Sequence, residues 1–150
     1  MIKLYYCERA ISSKHERSLS IIESPFGKHI LAEYFECECT YLDKETAVKN
    51  MMLEAATRSG ATIVGSIFHH FSPQGVTGVV VIAESHLAIH TWPEFQYASV
   101  DLFTCGNRVD PWVGFEYLKR ELHSRKWVSK EIIRGTMEEE LITHLKAVSG

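Results

Sequence analysis

The stretch PQGVTGVVVIAESHLAIHTWPE, Pro73 to Glu94, decides the fold. It opens on a Pro and Gly turn signal, runs through the β-branched VTGVVVIA, breaks at Glu84–Ser85 and resumes as HLAIHTW. In that second run Leu87, Ile89 and Thr91 alternate with His86, Ala88, His90 and Trp92, and strand side chains point to opposite faces in turn. Two strands joined by a tight turn are predicted, the second with one apolar face and one carrying imidazoles and an indole. Pro93 has no N–H to give a ladder and ends or bends that strand.

The pattern continues in both directions. ATIVGSIFHHF, residues 61–71, is a β-branched and aromatic strand that SPQG turns into the next, and QYASVDLFTCG, residues 96–106, alternates so that Tyr97, Ser99, Asp101, Phe103 and Cys105 share a side. KHILAEYFECE, residues 28–38, has the β-formers of a further strand. DKETAVKNMMLEAATRSG, residues 43–60, repeats apolar residues at i, i+4, with Asp43 as a start cap and Gly60 as an end. DPWVGFEYLKRELHS opens with Asp110 as a cap and Pro111 at the first helical position, and Phe115, Leu118 and Leu122 form one apolar face. KWVSKEIIRG reads as a last strand, and the acidic tail after Gly135 as a short helix.

EYFECECTYLDKETAV and VDLFTCGNRVDPWVGF run in parallel: a strand ending near cysteine, then an Asp-started helix. The expected fold is therefore α+β, a two-layer α/β sandwich of pseudo-duplicated halves, with a mainly antiparallel sheet and two main helices on one face. Several strands read apolar on both sides, so the other sheet face needs a cover, and a homodimer stacking two sheets supplies one. Residues 1–26, mixed in character and closed by SPFG, read as a partly ordered N-terminal extension, and residues 27–150 as the domain.

The chain has 150 residues, 45% hydrophobic and 23% charged, which suits one domain with an ordinary core. A net charge of −3 lacks the basic excess that phosphates demand, so nucleic acid is not an expected partner. No stretch is long and apolar enough for a membrane span, and the first residues lack the apolar run of a secretion signal. A cytoplasmic protein with a small-molecule or protein partner is expected. Cys7, Cys37, Cys39 and Cys105 are too few and uneven for a disulfide framework, and Cys37-x-Cys39 has no second pair at zinc spacing.

Glu84 and Ser85 have an ordinary reading as turn residues, and strand histidines are commonly satisfied core or surface groups. His86, His90 and Cys105 lack a fourth ligand, and no metal site is assigned. The sharper reading starts from a hydroxyl beside a peptide carbonyl in a strained turn. Ser85 Oγ can attack the Glu84 carbonyl carbon, turning the amide into an ester, because proximity replaces an encounter. A nearby base, for which His90 is the candidate, can then remove the Ser85 α-hydrogen and expel the Glu84 carboxylate. The dehydroalanine left behind hydrolyses to a keto-capped amino terminus, a pyruvoyl group, whose carbonyl condenses with a substrate amine and accepts the electrons of a decarboxylation. Cys105 is the candidate to return a proton, since a shielded thiol has one to give.

Residues 73–94 with YASVDLFTCG and DPW closely resemble the short prokaryotic S-adenosylmethionine decarboxylase proenzymes, pyruvoyl enzymes of polyamine synthesis. The likeness runs from about Gly27 to about Leu122, and more weakly to Gly135. It implies self-cleavage between Glu84 and Ser85 into a β chain of residues 1–84 and an α chain of residues 85–150, with Ser85 becoming the pyruvoyl that forms a Schiff base with substrate. By the same resemblance His90 is the processing base, Cys105 the catalytic proton donor, Phe71 and Trp92 flank adenine, and Glu94 accepts the ribose hydroxyls. A four-layer αββα homodimer with sites near the interface is implied as well.

Thr77 stands where the family usually has a serine that assists cleavage, keeping the hydroxyl but adding a methyl, which implies slower processing. Gln96 replaces a glycine beside Glu94 and adds bulk where the nucleoside should lie. Relatives on this scaffold decarboxylate arginine or ornithine, and that activity is the alternative. A non-catalytic regulatory homologue is the second, against which the retention of Ser85, His90 and Cys105 together argues.

Overall fold

The computed structural model describes residues 26–38 and 40–135. Its elements run β1 (Gly27–Phe35), α1 (Glu45–Arg58), β2 (Thr62–His70), β3 (Val76–Ala83), β4 (Ser85–Trp92), a 3-10 turn (Pro93–Phe95), β5 (Tyr97–Cys105), α2 (Pro111–Glu121) and β6 (Lys126–Arg134). The six strands form one sheet in the order β2-β3-β4-β5-β1-β6, and every neighbouring pair is antiparallel. The strand, helix, strand order expected twice over is present as β1-α1-β2 and β5-α2-β6. The expected extension up to Pro25, the tail helix after Gly135, and Cys39 lie outside the described residues.

Alternation sorts each strand between two faces. Ile30, Ala32 and Tyr34 of β1, Val80 and Ile82 of β3, Leu87 and Ile89 of β4, and Ala98, Val100 and Leu102 of β5 are buried under the helices. The helices meet them with Val48, Met52, Ala55 and Ala56 of α1 and with Phe115, Leu118 and Leu122 at α2 and its cap. Each such large apolar side chain contributes about 1.5–3 kcal/mol through burial. Tyr34 adds a directional tie, its hydroxyl donating to the Phe115 carbonyl at 3.0 Å, and burial drives the phenol pKa well above its ordinary value. At Gly114 of α2 an added Cβ would come within 2.7 Å of Ser59 Oγ beside α1, so only glycine admits this approach of the helices.

The two helix starts differ. Asp110 caps α2 as expected, its carboxylate accepting the Trp112 N–H at 3.0 Å with Pro111 at the first turn. Asp43 does not cap α1: Lys44 holds the cap position without a side-chain bond. The Asp43 carboxylate turns instead to the β2–β3 loop, accepting the Gly75 N–H at 2.7 Å and lying 2.8 Å from His70 Nε2. A loop amide and an imidazole outcompete the helix amides because together they offer two partners, one of them ionisable.

Among the described residues, no helix lies on the second sheet face. Ile67 is 71% exposed, and Val81 and Trp92 are also exposed there. Apolar side chains exposed on a face that no described helix covers are the feature that the two-sided hydrophobicity of strands such as β3 foretells. No helix of the described residues is long and apolar enough to cross a membrane.

Candidate active site

Only Glu84 separates β3 from β4. Ser85 is half-buried and has φ of +145°, a backbone state that glycine visits freely and other residues enter at a cost of order 1–3 kcal/mol. The strain expected at this junction is thus visible in the serine itself. Across the ladders Ser85 stands opposite Ile82 on β3 and Thr104 on β5. Thr104 is 1% exposed, and its Oγ1 is a buried oxygen without a hydrogen-bond partner among the described residues. Cys105 follows as a partly buried, reduced thiol opposite Gly27.

On the open face at this same end His86 and His29 pack against the Phe103 ring, at 5.8 and 5.2 Å between centroids. Arg134 lies over that ring at 5.2 Å and is 3.1 Å from His29 Nδ1, the acceptor of its N–H, which leaves the proton of a neutral ring on Nε2. Burial pushes the His29 pKa down; Asp101, 3.7 Å away, opposes this, and the Arg134 and His86 charges reinforce it.

The other end of the sheet holds the remaining candidates. Thr77 and His90 are ladder partners, and Thr77 Oγ1 lies 2.9 Å from His90 Nδ1. Trp92 stacks on Tyr97 at 5.2 Å, and Phe35 stacks on Tyr97 at 5.1 Å. The Tyr97 hydroxyl donates to Glu33; burial first, and then this bond, raise the phenol pKa. Phe71 directly follows β2, its ring edge-on to His69 at 4.7 Å.

Its loop is closed by the Phe71 N–H donating to the Gly75 carbonyl at 2.8 Å. Gly75 has φ of +98°, and a Cβ there would sit 2.8 Å from the Thr91 carbonyl oxygen, so the loop is pressed against β4. Glu94 is exposed in the 3-10 turn after Trp92. Gln96 ends that turn in the left-handed region, with φ 49° and ψ 44°.

The candidates therefore fall into two groups within one chain. Glu84, Ser85 and Cys105 occupy one end of the sheet, while Phe71, Thr77, His90, Trp92 and Glu94 occupy the other. At about 3.3 Å per strand residue, the five steps from Ser85 to His90 span about 16 Å. Nearness in sequence suggests one cluster, and the extended strand separates it into two. Sequence reading also missed Thr104, whose place opposite Ser85 depends on β4 pairing with β5, and the Asp43 tie to the Phe71 loop. No local signal marks either. Among the described residues, no three His, Cys, Asp or Glu side chains converge as metal ligands would.

Comparison with known proteins gives a consistent result. The profile of the S-adenosylmethionine decarboxylase family matches residues 28–135. The chain is 55% identical over 113 residues to a protein of Thermosipho melanesiensis named S-adenosylmethionine decarboxylase proenzyme, covering 75% of this chain and 87% of that one. A Fervidobacterium nodosum protein of the same name is 54% identical over 113 residues, covering 75% and 82%. Among solved structures, the adenosylmethionine decarboxylase of Aquifex aeolicus superposes with a TM-score of 0.72 at 32% identity, covering 77% of this chain and 96% of that one.

Proposed function

The chain belongs to the S-adenosylmethionine decarboxylase family, and we propose that it is a self-processing, pyruvoyl-dependent enzyme converting S-adenosylmethionine to its decarboxylated, aminopropyl-donating form and carbon dioxide for spermidine synthesis. The observation that carries this reading is Ser85: a non-glycine residue held at φ of +145°, directly after the single residue that links two strands. Relief of that backbone state favours rearrangement of the Glu84–Ser85 peptide.

Ser85 Oγ adds to the Glu84 carbonyl carbon and the amide nitrogen leaves, giving an ester and a liberated amine. A base removes the Ser85 α-proton, and the C–O bond breaks with its electron pair departing on the Glu84 carboxylate. Water then replaces the amine nitrogen, which leaves as ammonia. The products are a β chain of residues 1–84 and an α chain of residues 85–150. The residues at this end suit a pyruvoyl group, with the buried Thr104 hydroxyl opposite Ser85 and the Cys105 thiol one position further along β5. When present, that group supplies an electron-accepting carbonyl. Cys105 holds the proton that returns to the substrate carbon.

His90 is the processing base, with Thr77 orienting its ring through the 2.9 Å bond. About 16 Å of strand separates it from Ser85 of its own chain, so the proposal requires a second copy. Two open faces stacked about a twofold axis running across the strands lay the Ser85 end of one sheet over the His90 end of the other. The exposed apolar residues of that face, Ile67 and Val81 among them, support such a homodimer. In the composite site Phe71 and Trp92 flank adenine, a sulfonium cation is attracted to their ring faces, and Glu94 accepts the ribose hydroxyls.

Gln96 in the sequence suggests arginine or ornithine as substrate. Its left-handed backbone explains why the family's usual residue there is glycine, without reference to the nucleoside. Mass spectrometry under denaturing conditions is expected to show two chains split between Glu84 and Ser85. Parallel carbon dioxide release from S-adenosylmethionine, arginine and ornithine is expected to favour the first. An intact chain, or release from ornithine alone, overturns the respective half of the proposal.

A further inference from the structure

Thr104 is the least explicable polar residue in the described chain. It lies on β5 directly opposite Ser85, in register with Lys28 on its other side. It is 1% exposed, and its Oγ1 is buried with no hydrogen-bond partner among the described residues. Buried hydroxyls are nearly always paired, because burial strips them of water and an unmade bond is destabilising. Valine has the same shape and would fill this place without that penalty. The hydroxyl therefore needs a partner that the described residues of the uncleaved chain do not supply.

Self-cleavage creates one. Before it, the Ser85 α-carbon carries a hydrogen and the hydroxymethyl group; afterwards that carbon bears a keto oxygen, a new acceptor. Directly opposed residues of an antiparallel pair have Cβ atoms about 4.5–5.5 Å apart, within reach of a threonine hydroxyl and an oxygen on the facing α-carbon. We infer that Thr104 is a further catalytic residue, its hydroxyl donating to the keto oxygen formed at Ser85 and so fixing and polarising the carbonyl that must accept an amine. The inference rests on the self-cleavage reading above and assigns Thr104 to the mature enzyme, not to its making.

Thr104→Val removes only the hydroxyl. The variant is expected to melt at or above the wild-type temperature and to cleave completely by intact mass, with an α chain of the same mass change at Ser85. Its carbonyl is expected to be captured by phenylhydrazine about tenfold more slowly, with a similar fall in turnover, the order of effect of one lost hydrogen bond. Thr104→Ser and Thr104→Ala lose the same methyl and differ in the hydroxyl alone, so their comparison isolates the donor even if the valine variant folds poorly. Serine is expected to restore the capture rate and alanine to leave it low.

Equal capture rates for the serine and alanine variants overturn the inference and make Thr104 a packing residue. Failure of Thr104→Ala to cleave while Thr104→Ser cleaves also overturns it and moves the hydroxyl to the processing step. A wild-type chain that remains whole and does not react with phenylhydrazine refutes the self-cleavage reading itself.

Discussion

Ser85 and His90 share strand β4 yet face different neighbours: Ser85 pairs with Ile82 and Thr104, His90 with Thr77 and Ser99. A base fixed on one rigid strand does not bridge about 16 Å to a proton on that same strand, so on the proposed reading of His90 as the base, cleavage requires a second protomer.

Co-expression of a Ser85→Ala chain with a His90→Ala chain tests this. Each is expected to be inert alone, while a mixed dimer would unite the intact serine of one with the intact imidazole of the other. With random pairing about half of the His90→Ala chain is expected to be cut and none of the Ser85→Ala chain. Differently tagged chains weighed by mass spectrometry give the answer, and cleavage of the His90→Ala protein on its own would remove His90 as the base.

Cys105→Ala is expected to cleave normally, since on the proposed reading the thiol acts only after processing. Turnover should fall by about 10²–10⁴, the usual contribution of a positioned acid. Protonation at the wrong carbon should progressively inactivate the enzyme by transamination, visible as a mass change on the α chain. Wild-type turnover in this variant would exclude the thiol from proton transfer.

Gln96→Gly relieves a left-handed backbone at the close of the 3-10 turn. Set against the extra freedom that glycine has when unfolded, a net gain of about 0.5–1 kcal/mol is expected in denaturant unfolding. Selectivity between S-adenosylmethionine and ornithine should be unchanged. A shift in selectivity would show that the amide, and not the backbone, matters here.

His29 makes stability depend on pH. Its folded pKa is depressed, chiefly by burial, so below about pH 6.5 the unfolded chain takes up a proton before the folded one does. The stability due to its neutral form is complete above that pH and is lost as pH falls through the folded value. Melting temperature should therefore drop as pH falls below about 6.5, and His29→Phe should flatten that slope. Asp43, depressed by the Gly75 N–H and then by His70, adds a separate loss below about pH 4. An unchanged slope in His29→Phe would assign the dependence to other groups.

Much of this architecture is legible in residue order. Alternation along HLAIHTW puts Leu87 and Ile89 under the helices and His86, His90 and Trp92 on the open face, because neighbouring strand residues have no other choice. Asp110 and Pro111 announce α2 through bonds made within one turn. Asp43 looks the same in sequence and behaves otherwise, since its better partners, Gly75 and His70, lie about thirty positions away.

Residue order was enough to say which segments are strands or helices, which side each residue takes, and that a serine, an imidazole and a thiol are present. It took the folded sheet to put Thr104 opposite Ser85, to hold the serine and imidazole apart, and to turn position 96 left-handed. Period and capping are settled among residues a few steps apart, whereas the neighbour across a ladder depends on which distant strands pair and in what register, a choice made by burial of the whole sheet face.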